Sequence, residues 1–262
     1  MVTQSLLAAT VVLATTAAAY KRGLAYNDGT DISGFADNFV ARTKITWTYN
    51  WDSDTNADQN YGEYVHMVWS PRDDHTGPWN DHINKWLGQG TSHLLGFNEP
   101  ERPDQANMSP GDAANAWRQY MDPCAGRALL GAPTVSNDGY GWLQDFLCQC
   151  QGCHIDFVSV YWYNDHSMER DFENWVSSIC DLVGNRKVWI TEFKGLGDEH
   201  QQFEFLRDAL PFLDNKSCVE RYAYFGITNS NKDLIEANGP NLNQLGAWYG
   251  FDLPHDKWPA RR

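Results

Sequence analysis

The sequence predicts an α/β protein folded as a single compact (β/α)8 TIM barrel. Three observations lead there. Eight short runs rich in apolar, β-branched and aromatic residues follow one another, most of them separated by stretches with helical periodicity, and strands alternating with helices imply a parallel sheet. The chain after residue 19 has about the length of one minimal barrel, which takes about 250 residues. Two of the runs end abruptly in a glutamate, and the C-terminal strand ends are where a barrel places its chemistry.

Residues 1–19 stand apart from this pattern. They are uncharged and rich in Ala and Thr, with Leu6 to Leu13 as a short hydrophobic core and Ala17-Ala18-Ala19 as small residues at a cleavage point. The stretch reads as a secretory signal peptide and is too short for a membrane span. Its n-region carries no Lys or Arg, and the dibasic pair Lys21-Arg22 that follows offers a second trimming site. No hydrophobic tail closes the sequence, so no lipid anchor is expected there.

The eight runs begin at Gly23 (GLAYN), Lys44 (KITWTYNW), Glu63 (EYVHMVW), His93 (HLLGFNE), Ala128 (ALLGAPTV), Asp156 (DFVSVYWYN), Lys187 (KVWITEF) and Arg221 (RYAYFGI). Ile32, Phe35, Ala36, Phe39 and Val40 repeat at helical spacing after the first. The polar stretch Ser53 to Gly62 does not read as a proper helix. Ser109-Pro110-Gly111-Asp112 is a capped helix start that leads into Ala113, Ala116, Trp117 and Tyr120. Phe172, Trp175, Val176, Ile179 and Cys180 form another stripe, and Phe203, Leu206 and Leu210 a third. Asn241 is placed to cap a last helix through Leu242, Leu245 and Trp248.

The fourth and seventh runs carry the functional argument. Leu94 to Pro100 (LLGFNEP) is a buried-strand pattern ending in Asn98-Glu99-Pro100, and Val188 to Phe193 (VWITEF) ends on Glu192. A carboxylate at the end of a buried strand is costly unless it has partners or a task. Either acid alone is equally a surface loop acid. Two together are what glycoside hydrolysis requires, one as acid/base and one as nucleophile or base. Strands four and seven face each other across a barrel, so the carboxyls should lie about 5–5.5 Å apart, the separation of a retaining pair.

Composition narrows the ligand class. The net charge of −14 argues against nucleic acid, whose phosphates need Lys and Arg, and leaves neutral sugars acceptable. Aromatic residues make up 14% of the chain, with 12 Trp, more than core packing alone requires. Trp47, Tyr49, Trp51 and Trp69, late in the second and third runs, are candidates to line a groove and stack on sugar faces. Each is otherwise an ordinary core aromatic. His154 and His166 read as structural or exposed.

Six cysteines fall at helix ends or helix-to-strand connections, the stability face of a barrel. An even count in a secreted chain favours disulfides. Cys180 should pair with Cys218, since the connections before the seventh and eighth strands are neighbours. Cys124 should pair with Cys148, Cys150 or Cys153. The cluster CQCQGC lacks a His or further Cys at zinc-finger spacing, so no metal and no cofactor is expected. Asn107-Met108-Ser109 and Asn215-Lys216-Ser217 are glycosylation sequons. There is no phosphate loop, dinucleotide fingerprint or nucleophile elbow.

The order GLAYN, WTYNW, MVW, LLGFNEPE, DFVSVYWYN, VWITEF and RYAYFG resembles glycoside hydrolase family 128, the fungal and bacterial endo-β-1,3-glucanases, including fungal cell-wall-bound members. The likeness runs strand by strand over residues 20–262, which it identifies as a catalytic domain. It implies Glu99 as acid/base and Glu192 as nucleophile, with net retention of configuration. Asn98 would bond the sugar hydroxyl beside the scissile carbon, and Tyr163 would orient Glu192. Asn27 and Tyr161 join the substrate-binding candidates. Such enzymes usually carry His-x-Tyr on the sixth strand, whereas this chain reads Tyr161-Trp162-Tyr163.

The leading expectation is a secreted, monomeric endo-glycosidase acting on β-1,3-glucan, in the medium or at the cell wall, with neither nucleic acid nor membrane as partner. A wall-associated glucan-binding protein with little or no hydrolysis, and a barrel glycosidase acting on another β-glycan, are the alternatives.

Overall fold

Among the described residues, nine strands, all paired in parallel, form one sheet: β1 (Arg22–Tyr26), β2 (Ile45–Tyr49), β3 (Glu63–Tyr64), β4 (His66–Met67), β5 (His93–Leu95), β6 (Leu129–Gly131), β7 (Phe157–Asp165), β8 (Lys187–Leu196) and β9 (Val219–Ile227). The structure, a computed structural model, describes residues 20–37, 41–57, 61–237 and 241–253. The expected signal peptide lies outside the described residues. The strand order is β3-β2-β1-β9-β8-β7-β6-β5-β4. Its two ends, β3 and β4, are separated in the chain only by Val65, so chain continuity closes the ring. The third run is therefore two strands, not one. β3 pairs with β2 and β4 with β5, and the ladder passes from one neighbour to the other at Val65, whose N–H donates to Thr48 O (2.8 Å).

The helices are α1 (Asp73–Thr76), α2 (Trp79–Leu87), α3 (Pro110–Tyr120), α4 (Tyr140–Gln149), α5 (Glu169–Val183), α6 (Glu199–Asn215) and α7 (Gln244–Phe251). Ser109 caps α3 as expected, accepting from Asp112 N (3.1 Å). The cap of α7 is Asn243, which accepts from Gly246 N (2.9 Å), rather than Asn241. The carbonyl of Asn241 instead accepts from Glu236 N (2.8 Å), in a short antiparallel contact between Ile235 and Leu242. The helix expected after β1 is reduced to a 3-10 turn over Ser33–Phe35, and Phe39 and Val40 lie outside the described residues.

Two apolar layers hold the barrel. The larger lies between sheet and helices. The smaller fills the interior: Trp47 packs 5.2 Å from Trp189, and Trp189 stacks 4.2 Å from Phe157. Glycine makes room for these rings, since a Cβ on Gly23 would stand 2.2 Å from the Trp47 ring and one on Gly131 would stand 2.4 Å from Phe157. At the strand starts, Arg221 lies 4.4 Å over Trp189 and donates to Glu63 (2.7 Å), which also faces His93 (3.0 Å). Burial would push the Glu63 carboxyl up, but His93 and Arg221 outweigh it and hold it at about 2.

The cysteines sit at helix C-terminal ends and strand approaches, opposite Glu99. Cys180 and Cys218 are bonded, as expected. Cys124 is not bonded to the cluster: Cys150 pairs with Cys153, leaving Cys124 free and buried and Cys148 free and exposed. The reason is local. Cys153 N donates to Cys150 O (3.0 Å) in a turn that brings the two Cα atoms to 5.4 Å, inside the bonding range, so a contact three residues apart wins over one distant in sequence. Peptide mapping of the non-reduced protein should recover Cys150–Cys153 and Cys180–Cys218. Iodoacetamide should label Cys148 in the native state and Cys124 only after unfolding; labelling of both at equal rates would contradict this arrangement.

Candidate active site

Glu99 reaches the top of the barrel on a segment that extends the sheet beyond β5. Gly96 N donates to Gly131 O (3.1 Å), Asn98 N to Trp69 O (2.9 Å) and Glu99 N to Thr134 O (2.7 Å). The segment is thus fixed from both sides. Glu99 adopts φ 39°, a left-handed conformation rare for a residue with a side chain and rarer still before proline. Trp51, just beyond β2, is likewise at φ 62°. Such strain persists only where surrounding contacts enforce it, and here both residues turn toward the same place.

That place is a cleft of about 650 Å³ over the barrel. Glu99, Asn98, Arg102 and Gln105 line one part of it, Glu192, Tyr163, Trp51 and Phe225 another, with Trp69, Asn27, Thr228 and Ser230 around them. Glu192, on β8, is 6% exposed. It accepts hydrogen bonds from Tyr163 Oη, from Trp51 Nε1 (2.5 Å) and from Tyr49 Oη (3.3 Å). Among the described residues Glu99 has no comparable donors; its ion-pair partner is Arg102, 3.8 Å away.

The electrostatics follow from this asymmetry. Burial, with the neighbouring Glu192 charge behind it, pushes the Glu99 carboxyl from 4.5 up to about 7. Glu192 is also pushed up to about 7 by burial, but Tyr163, Trp51 and Tyr49 pull in the opposite direction through hydrogen bonds to its charged form. Two carboxyls that repel each other ionise in sequence, and the one with the donors ionises first. The donors around Glu192 favour its ionised form, while burial and the neighbouring charge favour the protonated form of Glu99.

The sequence-derived candidates divide by height in the barrel. Asn27, Trp51, Trp69, Asn98, Glu99, Tyr163 and Glu192 meet at the cleft. Trp69 lies between Arg72, 5.2 Å over its ring, and His75, 5.3 Å away. Trp47 is not part of the groove: it is fully buried lower in the barrel, where it faces Trp189. Tyr49 and Tyr161 are also fully buried and lie beneath the cleft surface. Tyr49 bonds Glu192, and Tyr161 Oη donates to Asn98 Oδ1 (2.6 Å). Phe225, Arg102, Gln105, Thr228 and Ser230 escaped the sequence reading. Alternation with the interior Ala223 would have found Phe225; the others stand on loops, whose direction no periodicity reveals. Among the described residues no group of three or more His, Cys, Asp or Glu could hold a metal ion, and no helix is long and apolar enough to cross a membrane.

Residues 23–249 match the family model described as "Glycosyl hydrolase catalytic core". The alkali-sensitive linkage protein 1 of Schizosaccharomyces pombe is 32% identical over 255 residues, covering 87% of this chain; the chain spans 44% of that relative's length. A curdlan-specific exo-β-1,3-glucanase of Blastomyces gilchristii (family 128, subgroup III), solved with glucose, is 40% identical with TM-score 0.80, covering 88% of this chain and 98% of that one. An endo-β-1,3-glucanase of Sorangium cellulosum (subgroup II) is 28% identical with TM-score 0.73, covering 87% and 97%.

The raised Glu99 carboxyl has a cost in stability with a definite sign. Folding favours its protonated form, so its contribution is fully present below the unfolded value of 4.5 and is lost as pH rises through about 7. Glu99→Gln, a neutral isostere, should match the parent near pH 4 and be more stable at pH 8 by about 1–3 kcal/mol, read from urea midpoints. An equal gain at both pH values would point to packing and not charge.

Proposed function

The chain belongs to the glycosyl hydrolase catalytic core family and to glycoside hydrolase family 128, and on that premise we propose that it hydrolyses β-1,3-glucan with net retention, Glu99 serving as acid/base and Glu192 as nucleophile. The observation that carries the assignment is the unequal environment of the two carboxyls: Glu192 sits among hydroxyl and indole donors, and Glu99 faces it across the cleft without any. A group that must donate a proton needs a raised pKa, and a group that must attack needs to be ionised and aimed.

The steps follow. Glu192 attacks the anomeric carbon while Glu99 passes its proton to the departing glycosidic oxygen, leaving a glycosyl ester on Glu192 and a carboxylate at Glu99. Glu99 then takes a proton from water as that water attacks the same carbon and releases Glu192. Two inversions give retention, and water is divided between the two new chain ends. Tyr163 and Trp51 hold Glu192 in line for the attack, and Asn98 offers its amide to the hydroxyl beside the reacting carbon. Trp69 and Phe225 provide aromatic faces in the cleft for sugar rings. A single barrel carries both carboxyls, so one copy of the chain suffices. The two disulfides fit an oxidising compartment and favour action outside the cell.

We take internal cleavage as the leading mode. Attack from chain ends is the second reading, favoured by the exo-acting Blastomyces gilchristii relative. Laminari-oligosaccharides blocked at the non-reducing end separate the two: an endo-enzyme cleaves them, and an exo-enzyme acting from that end does not.

Glu192→Ala should lose turnover by at least about 10³-fold, and azide should restore part of it on an activated aryl substrate, giving the inverted glycosyl azide. NMR detection of an inverted first product from the wild-type protein would overturn the retaining assignment. The wild-type kcat/KM should fall as pH rises through about 7, where Glu99 loses its proton. Trp69→Ala should raise KM or weaken binding to insoluble glucan while the protein stays folded; failure to fold would place Trp69 in the core.

A further inference from the structure

An asparagine side chain presents two ends of nearly equal shape and opposite chemistry, an acceptor oxygen and a donor NH2. For Asn98 to serve a sugar hydroxyl, one end must be turned away and held there. Asn98 is 4% exposed, and both ends have protein partners: Oδ1 accepts from Tyr161 Oη (2.6 Å), and Nδ2 donates to Gln105 Oε1 (3.2 Å). The two contacts differ in firmness. Gln105 stands half-buried on the loop between β5 and α3. Tyr161 is fully buried on β7; its N–H donates to Val135 O (2.8 Å) and its carbonyl accepts from Trp175 Nε1 (3.1 Å). Strand and ring are therefore locked, and the hydroxyl is delivered from a rigid support.

We propose that Tyr161 is a positioning residue that acts through Asn98, its hydroxyl occupying Oδ1 so that the second Nδ2 proton is presented to the cleft as a fixed donor. Tyr161 is fully buried and does not line the cleft, so it acts from beneath it. Tyr49 cannot take its place, because the Tyr49 hydroxyl is directed to Thr191 O (3.0 Å) and Glu192 Oε1 (3.3 Å). This inference rests on the reading of Asn98 as the donor to the hydroxyl beside the reacting carbon, a contact that strengthens as positive charge develops on the ring.

The test is a double-mutant cycle on 4-nitrophenyl β-laminaritrioside with Tyr161→Phe, Asn98→Ala and the pair. Tyr161→Phe keeps the ring and removes only the hydroxyl. It should lower kcat about tenfold with KM within about twofold, and in the Asn98→Ala background it should cost less than about twofold. Equal losses in both backgrounds, or no loss in the first, would overturn the proposal. The side-chain NH2 resonances of Asn98 in 15N-labelled, substrate-free protein give a readout independent of turnover. Tyr161→Phe should shift and broaden them; unchanged signals would overturn positioning whether or not the chain cuts glucan. A shift on Tyr161→Phe, found together with a wild-type protein inactive on β-1,3-glucan, would leave positioning intact and refute the functional reading instead.

Discussion

The structure depends on keeping a carboxylate charged in a nearly dry place. Glu192 is 6% exposed on a strand inside the barrel, where an unpaired charge would cost several kcal/mol. The donors that offset this come from separate parts of the chain: Tyr49 from β2, Trp51 from the bend after it, and Tyr163 from β7. Bringing them to one point fixes the relative height of three strands. It also explains why Trp51 holds an unfavourable backbone angle, since its indole N–H reaches Glu192 from there. Glu99 receives no such support, and the difference between the two acids is a difference in neighbours.

Below this layer the barrel is built for rigidity. Trp47, Trp189 and Phe157 fill the interior, and Arg221 closes the lower mouth over Trp189, with its charge met by Glu63. The ion pair and the stacked rings hold the strand starts together, although Arg221 Nη1 is buried without a hydrogen-bond partner among the described residues. The upper layer is strained, polar and open. The division between a stable face and a reactive face follows from where the aromatic rings end and the hydroxyls begin.

Much of this was legible in the residues. The eight runs, the later helix stripes, the Ser109 cap and the Cys180–Cys218 bond were all readable, because each depends on local pattern or on neighbouring connections. The strand ends were not: β8 runs on to Leu196, so Glu192 lies within its strand, and Glu99 lies beyond the end of β5. Facing was harder to read. Strands of a barrel are buried on both sides, so Trp47 and Trp69 look alike in sequence although one is deep in the interior and the other is at the cleft. Height along the barrel axis decides between them, and it is set by stagger, which has no sequence period. The split of the third run at Val65 and the local Cys150–Cys153 turn came from competition between contacts that a linear reading does not rank. Loop residues such as Arg102 and Ser230 gave no signal at all.

The Cys180–Cys218 bond encloses β8 and α6 in a closed loop with a sequence separation of 38 residues. Glu192 lies inside that loop and Glu99 outside it. In a chain-entropy account such a loop removes about 4 kcal/mol of freedom from the unfolded ensemble, a sizeable part of the 5–15 kcal/mol that typically separates folded from unfolded domains. The Cys150–Cys153 bond closes so short a segment that it adds little of this kind. Durability of the barrel is therefore tied to one oxidation event. Where thiols are kept reduced, the chain would carry the same site on a weaker frame, and the segment holding Glu192 would lose the tether that the Glu99 segment never had.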